Sequence, residues 1–327
     1  MKELNIAFKE FYVAVKSKRF IGLLLFYILL IFLINYAAKD QIIDQAGRIS
    51  VERLELYGVK GEVAMTPVSM SIITNLMALT IFGALIGITL GADAINREIE
   101  EGTVKVLLSH PIYRDQVING KFIGNGFALV FMIFIGYIFS IAYLFIIGVP
   151  IDGASITRAL LASIYTLIYM LTFLSLGILL STLLKKAETA MLLAIILTIF
   201  LTIVYPVIVN VAAYKIAGDM PYCPPRIETV QTPNGPQQIR VDDFSCPAME
   251  EWMNKMETWK RRLYFITPAH HYTQLIVGAF AGDNFAQDYL PLDESLPLTI
   301  NSFAIIMVQL LLPFSIAYMK FMTSDLR

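Results

Sequence analysis

Residues 93–121 read DAINREIEEGTVKVLLSHPIYRDQVINGK, a charged, helix-like stretch wedged between two long apolar runs. Asn96, Arg97, Glu98, Glu100 and Glu101 follow the first of those runs directly, and Gly102 then breaks the helical pattern. Residues 103–108 are apolar enough to pack, Ser109-His110-Pro111 reads as a turn, and a second helical piece from Arg114 to Lys121 returns to apolar sequence. The flanking runs are each long enough to cross a bilayer, which takes about 20 apolar residues. Two readings of the polar island follow: the solvated end of a helix, or a docking element for another chain. Glu98 and Glu101 lie one helical turn apart, so on the second reading they meet a basic groove on the partner together.

Composition supports the membrane assignment. Of 327 residues, 57% are hydrophobic and 16% charged, against about 45–50% and 25% in a soluble domain. A net charge of -1 gives no sign of nucleic-acid binding. No short apolar segment with a small-residue cleavage site opens the chain, so the first span is expected to stay in the mature protein. Residues 1–19 place Leu4, Ala7, Phe8, Phe11, Tyr12 and Val15 at helical spacing beside Lys2, Lys9, Lys16, Lys18 and Arg19. An apolar face with a basic rim predicts a helix lying in the membrane interface.

Six transmembrane helices are predicted: Phe20–Ala38, Ile72–Ala92, Phe122–Val149, Ile156–Leu184, Thr189–Ala213 and Leu298–Met322. Basic residues near their ends place the N-terminus, 93–121, the Lys185-Lys186 turn and the tail on one side, expected to be the cytoplasm. The other side receives 39–71, a turn near Asp152 and the long 214–297 segment. The expectation is an all-α, multi-pass protein of the cell membrane with both termini cytoplasmic. It divides into an interfacial helix (1–19), five spans (20–213), a small extracellular α/β insertion (214–297) and a final span with its tail (298–327). The spans hold almost no ionisable side chains, which argues against a proton- or sodium-driven transporter. Their neutral polar residues read first as interhelical hydrogen-bonding groups. Asn75, Asn125, Thr172, Thr202 and Asn301 are the candidates for a translocation path.

In the first outer loop, Ile42, Ile43, Ala46, Ile49, Leu54 and Tyr57 roughly follow helical spacing and stop at Gly58, which predicts a helix. In the long loop, 226–232 and 237–242 flank Pro-Asn-Gly-Pro, with Asn234-Gly235 as a two-residue hairpin turn. Cys223 and Cys246 are then equidistant from that turn and on the side where disulfides persist, so a Cys223–Cys246 bridge is predicted. After it, Pro247 opens a helix with Glu250 and Glu251 early and Lys260, Arg261 and Arg262 late, an order that suits the helix dipole.

Chemistry-bearing motifs are few. There is no G-x-x-x-x-G-K-[ST] loop to cradle nucleotide phosphates and no H-E-x-x-H or paired C-x-x-C, so neither a cofactor nor catalysis is expected in this chain. His110 beside Pro111 reads as a turn residue. Met249, Met253 and Met256 share a helical face, and thioethers suit copper(I). His270 and His271 do not face one direction on a helix, however, and a Met stripe beside Trp252 and Trp259 is more often packing. No metal site is expected.

The run NREIEEGTVKVLLSHPIYRDQVINGKFIG resembles the signature of type-2 permeases of ATP-binding cassette (ABC) transporters. In that family the second span is followed by an acidic residue, E-x-G-T, an apolar run, a small-Pro turn and a G-K before the third span. Glu98, Glu101, Gly102, Thr103, Leu107, Ser109, Pro111, Gly120 and Lys121 fill that pattern. The six-span plan, the interfacial helix and the outer insertion are similar too, and 265–280 resembles the family's outer re-entrant segment. The Cys-bracketed hairpin departs from simpler members.

The resemblance implies a permease working with two copies of a cytoplasmic ABC ATPase, which binds the ATP and magnesium, and with a second permease copy, as a homodimer or as a heterodimer with a related permease. Asn96, Arg97, Glu98, Glu101, Gly102, Thr103 and Pro111 would form the ATPase-coupling element. Glu98 and Glu101 would anchor it, Gly102 end its helix and Pro111 set the return turn. Export is the expected direction. The alternative is mechanotransmission: the same architecture acting on an extracellular partner through 214–297 without moving a solute.

Overall fold

The computed structural model describes residues 2–102, 113–224, 226–232, 235–241 and 246–323. Thr103, Leu107, Ser109, His110, Pro111 and Asn234, all singled out from the sequence, lie outside the described residues. Six helical runs among those described are long and apolar enough to cross a membrane: Lys18–Ala37, Pro67–Glu100, Arg114–Ile146, Gly153–Leu183, Ala187–Ala217 and Leu292–Thr323. The protein is an all-α polytopic membrane protein with only small two-stranded sheets.

Three of the runs start at polar caps. Helix α1 (Lys2–Lys16) stops at Ser17, whose hydroxyl accepts from the Phe20 amide at 3.1 Å and so starts α2 (Lys18–Ala37). After a short α3 (Lys39–Asp44), Thr66 and Ser69 form a reciprocal capping box with Pro67 in the first turn of α4 (Pro67–Ala78). The second span then widens into a π-turn over Leu79–Gly83 and continues as α5 (Ala84–Ala92) and the short α6 (Asn96–Glu100). The third span is α7 (Arg114–Ile146) and the fourth α8 (Gly153–Leu183). Asp152 caps α8 by accepting from the Ser155 amide at 2.9 Å, and these hydrogen bonds outweigh its desolvation and hold its pKa below the ordinary carboxylate value. The fifth run comprises α9 (Ala187–Ile199), a second π-turn (Phe200–Val204) and α10 (Tyr205–Ala217).

Glycines let two pairs of elements pack backbone to backbone, the small-residue mode that lipid-embedded helices use. A Cβ on Gly91 would lie 2.7 Å from the Ile178 amide nitrogen, and one on Gly177 would lie 3.0 Å from the Ala92 nitrogen, so α5 and α8 touch along their main chains. At the base of α7, a Cβ on Gly120 would meet the Ile6 side chain at 2.6 Å and one on Gly124 the Ala7 carbonyl at 2.5 Å. Helix α1 therefore seats Ile6 and Ala7 on the third span while Leu4, Phe8 and Tyr12 stay exposed. The apolar face read from the sequence is split, part packed against protein and part exposed.

Contacts gather the loops into two sets. Helix α1, α6, the start of α7, the 184–187 turn and the end of α13 (Leu292–Thr323) come together at one end, joined by Lys9–Glu98, Glu100–Ala187 and Arg114–Met322 bonds. The opposite end differs from the sequence reading. Residues 50–65 form a β-hairpin, β1 (Ser50–Leu56) with β2 (Val59–Met65), closed by Leu56↔Val59. Only α3 is helical in that loop. Tyr57 (φ 49°) and Gly58 (φ 72°) both take the left-handed conformation, the geometry of a type I′ turn whose twist matches the strands. Val59, Val63, Ala64 and Met65 of β2 are buried, while Lys60 is exposed, so the second strand packs its C-terminal half into the protein. On β2 rests α12 (Pro268–Ala279), too short to span and almost wholly buried, followed by the two-residue strands β5 (Gly282–Asp283) and β6 (Asp288–Tyr289).

Residues 204–266 form a separate compact unit, while Thr267–Arg327 belongs with Met1–Ile203. The unit holds α10, the hairpin β3 (Arg226–Thr232) with β4 (Gly235–Val241), and α11 (Pro247–Tyr264). Cys223 and Cys246 are disulfide-bonded, their Cα atoms 5.8 Å apart. The hairpin register is not the predicted one: Thr232 pairs with Gly235 and Gln231 with Pro236, so the connection is 233–234. The predicted turn would have made Pro233 and Pro236 the closing pair, and neither has an amide hydrogen to give the ladder. Within the unit, Trp252 donates to the Gly218 carbonyl at 2.8 Å and Tyr205 to that of Leu263 at 2.9 Å.

Candidate functional site

The segment that decides the fold also carries a cluster of ion pairs. Asp93 ends α5, and Ser181 of α8 receives the next turn: its hydroxyl accepts from the amides of Ile95 (2.9 Å) and Asn96 (3.1 Å) and donates to Asn96 Oδ1 (3.1 Å). Two residues on, Glu98 turns into the protein. Its Oε1 lies 2.8 Å from Nζ of Lys121, at the base of α7, and 3.3 Å from Nζ of Lys9 on α1. Lys121 is only 3% exposed and also reaches Glu10 at 3.4 Å. Glu100 accepts from the Ala187 amide at 3.2 Å, placing a carboxylate at the N-terminus of α9 where the helix dipole favours it. Gly102 (φ 71°) then closes α6 in the left-handed conformation.

Five residues of helix are thus tied to four other elements: α8 through Asn96, α7 and α1 through Glu98, and α9 through Glu100. The remaining side chains face outward. Arg97 is 62% exposed and bridges Glu101, itself 53% exposed, at 3.0 Å; Ile99 between them is exposed too. Asp93 is held by Arg19 at 2.9 Å and by Arg97 at 3.8 Å. Burial works against the charge on Lys9, but the carboxylates of Glu10 and Glu98 outweigh it and hold its pKa above the ordinary lysine value.

The structure therefore separates two residues that the sequence put together. Glu98 and Glu101 do not present one joint acidic face: Glu98 is an internal anchor and Glu101 an outward one. Asn96 is buried against Ser181, and the outward face belongs to Arg97, Ile99 and Glu101. Thr103 and Pro111, the remaining coupling candidates, lie outside the described residues.

The five path candidates do not converge. Asn125, Thr172 and Thr202 each donate to the carbonyl four residues earlier in their own helix, and Asn301 is exposed. Asn75 lines a small cavity with Tyr27, Ser71 and Ser140 that none of the other four reaches. His270 and His271 stand with ring planes at 86°, their Nδ1 atoms bonded to the Tyr57 carbonyl (2.9 Å) and Ser302 (3.3 Å).

Across the chain, residues 4–326 match the model of the ABC-2 family transporter protein. The chain belongs to the ABC-2 family. Two curated relatives share a shorter segment of 77 residues: a probable ABC transporter permease protein NosY of Stutzerimonas stutzeri at 35% identity, and one of Pseudomonas aeruginosa at 36%. That segment covers 24% of this chain and 28% of each relative, so the chain spans about a quarter of the length of the relatives it matches.

Several residues that build this ABC-2 site were not singled out by the sequence reading. Ser181 and the anchoring role of Glu100 have no local signature, since each acts on a residue about 86 positions away. Gly83, Gly87 and Gly91, by contrast, recur every fourth residue along the second span and were a readable signal for close helix packing. Arg158 was a readable exception to spans free of charge. It is buried in the second turn of α8, bonding the Ala279 carbonyl at 2.7 Å and the Leu290 carbonyl at 2.5 Å, with its guanidinium 4.3 Å from the Tyr289 ring.

Proposed function

We propose that this chain is the membrane permease subunit of an ATP-driven ABC exporter, and that α6 is where a separate cytoplasmic ATPase grips it. One observation carries the reading: a five-residue helix whose inward side chains are fixed to four other elements and whose outward side chains, Arg97, Ile99 and Glu101, stand exposed. A push on such a helix reaches the second, third, fourth and fifth spans and α1 together. Family membership and the permease relatives support the same role. The working assembly on this reading is two permease copies with two ATPase copies, in the cell membrane, with both chain termini in the cytoplasm and ATP and magnesium bound on the partner.

The test is a gentle-detergent purification of the tagged protein from its native membranes. A Walker-motif ATPase should co-purify, and Glu101→Lys, which reverses the charge beside Arg97 on the outward face, should abolish that association while leaving the permease in the membrane. Recovery of the permease without an ATPase would overturn the assignment. ATP turnover in vesicles without solute flux, but with an outer protein bound to residues 214–297, would replace export with mechanotransmission. The Cys223–Cys246 disulfide within that segment is the observation that favours this second reading.

A further inference from the structure

Two π-turns interrupt the spans, Leu79–Gly83 in the second and Phe200–Val204 in the fifth. A π-turn takes one residue more per turn than the helix on either side, which displaces the regular ladder and leaves carbonyls needing other donors. Both turns are served by a tyrosine from another element. The Tyr169 hydroxyl of α8 donates to the Thr80 carbonyl at 2.6 Å. The Tyr57 hydroxyl, at the tip of the β1–β2 hairpin, donates to the Thr202 carbonyl at 3.3 Å.

The two tyrosines are also held in place. Tyr169 is fully buried and stacks on Tyr272 of α12, ring centroids 4.4 Å apart and planes at 17°, and Tyr272 is fixed by Thr166 at 3.0 Å. The main chain of Tyr57 is held by His270 of the same α12 at 2.9 Å. One buried helix therefore supports the donors of both π-turns. Beside the first π-turn lies a cavity of ≈ 20 Å³ lined by Leu79, Asn75 and Tyr27. Asn75 Oδ1 and the Tyr27 hydroxyl are buried there without a hydrogen-bond partner among the described residues.

We infer that Tyr169 and Tyr57 are positioning residues that hold the second and fifth spans in their π-register, with α12 as the common support, and that conformational cycling requires these latches to release. The inference rests on the permease reading for its purpose, since a static membrane protein has no cycle to gate. Its structural content, however, is measurable on this chain alone.

The experiment is hydrogen–deuterium exchange on the full-length protein in nanodiscs, comparing wild type with Tyr169→Phe and Tyr57→Phe. Each variant removes one hydroxyl and keeps the ring. Tyr169→Phe should raise amide exchange about fivefold over residues 79–88 and leave 200–208 unchanged, as expected for loss of one ordinary hydrogen bond; Tyr57→Phe should do the reverse. Unchanged exchange in both segments overturns the inference. So does a uniform rise across all spans with a lowered melting temperature, which would mark these hydroxyls as general stabilisers. Failure to recover a partner ATPase would remove the permease reading and leave the exchange result standing. Where an ATPase does co-purify, Tyr169→Phe should change kcat for ATP without changing KM for ATP, because Tyr169 cannot touch the nucleotide.

Discussion

Replacing Glu98 tests whether α6 is fastened to the third span as the geometry states. Its Oε1 sits 2.8 Å from Lys121 Nζ, and the two side chains are 17% and 3% exposed, so the pair is largely removed from water. Removing one partner of a buried pair costs about 3–5 kcal/mol, chiefly because the other charge is left behind. Lys121 retains Glu10 at 3.4 Å, which sets the expectation for Glu98→Leu at the lower end, about 3 kcal/mol. Lys121→Met should cost about as much, since it removes the buried cation 2.8 Å from Glu98. The double variant replaces both charges by apolar groups and should return to within about 1 kcal/mol of wild type. Reversible unfolding in mixed detergent micelles, run as a double-mutant cycle, measures the coupling. A coupling energy below about 0.5 kcal/mol would mean the two charges act independently, and the anchoring of α6 would be refuted.

Other perturbations probe other joints. Gly91→Leu would drive a side chain into the main chain of α8 around Leu174 and Ile178, and should destabilise by about 3 kcal/mol or abolish folding, read from detergent unfolding and membrane yield. Arg158→Met leaves the Ala279 and Leu290 carbonyls without their charged donor and should cost about 3 kcal/mol in the same assay, with Arg158→Lys recovering only part. In non-reduced protein neither Cys223 nor Cys246 should react with maleimide. Cys223→Ser should lower the stability of the 204–266 unit by about 3 kcal/mol, followed by protease susceptibility of that unit.

The parts of this protein that were legible in the sequence are those set by one-dimensional rules. Bilayer thickness fixes span length, so the six apolar runs stood out, and the structure lengthens them only as far as caps such as Ser17, Thr66 and Asp152 allow. The bridge of Cys223 to Cys246 was legible from two cysteines flanking a hairpin pattern, although the hairpin register differs from the predicted one. The β1–β2 hairpin was not legible because Leu54 and Tyr57 fit two periods, and Tyr57-Gly58 lacks the Asn-Gly or Asp-Gly pair that marks a type I′ turn. Within the candidate site, the motif located α6 but could not say which way each side chain turns. That depends on Lys121, Ser181 and Ala187, whose approach is set by the tertiary packing of three other helices.

The seating of α1 on Gly120 and Gly124 also bears on how the chain is made. Ile6 and Ala7 emerge from the ribosome more than a hundred residues before the glycines that receive them, an interval on the order of ten seconds at ordinary elongation rates. Until then the whole apolar face of α1, including the part that ends up against protein, has only lipid or a chaperone for shelter. The Lys121–Glu10 pair likewise cannot close until the third span has been made. Helix α1, made before all six spans, is thus among the later elements to reach its final place, and a bulky group attached ahead of it would be felt during insertion before it was felt in the finished protein.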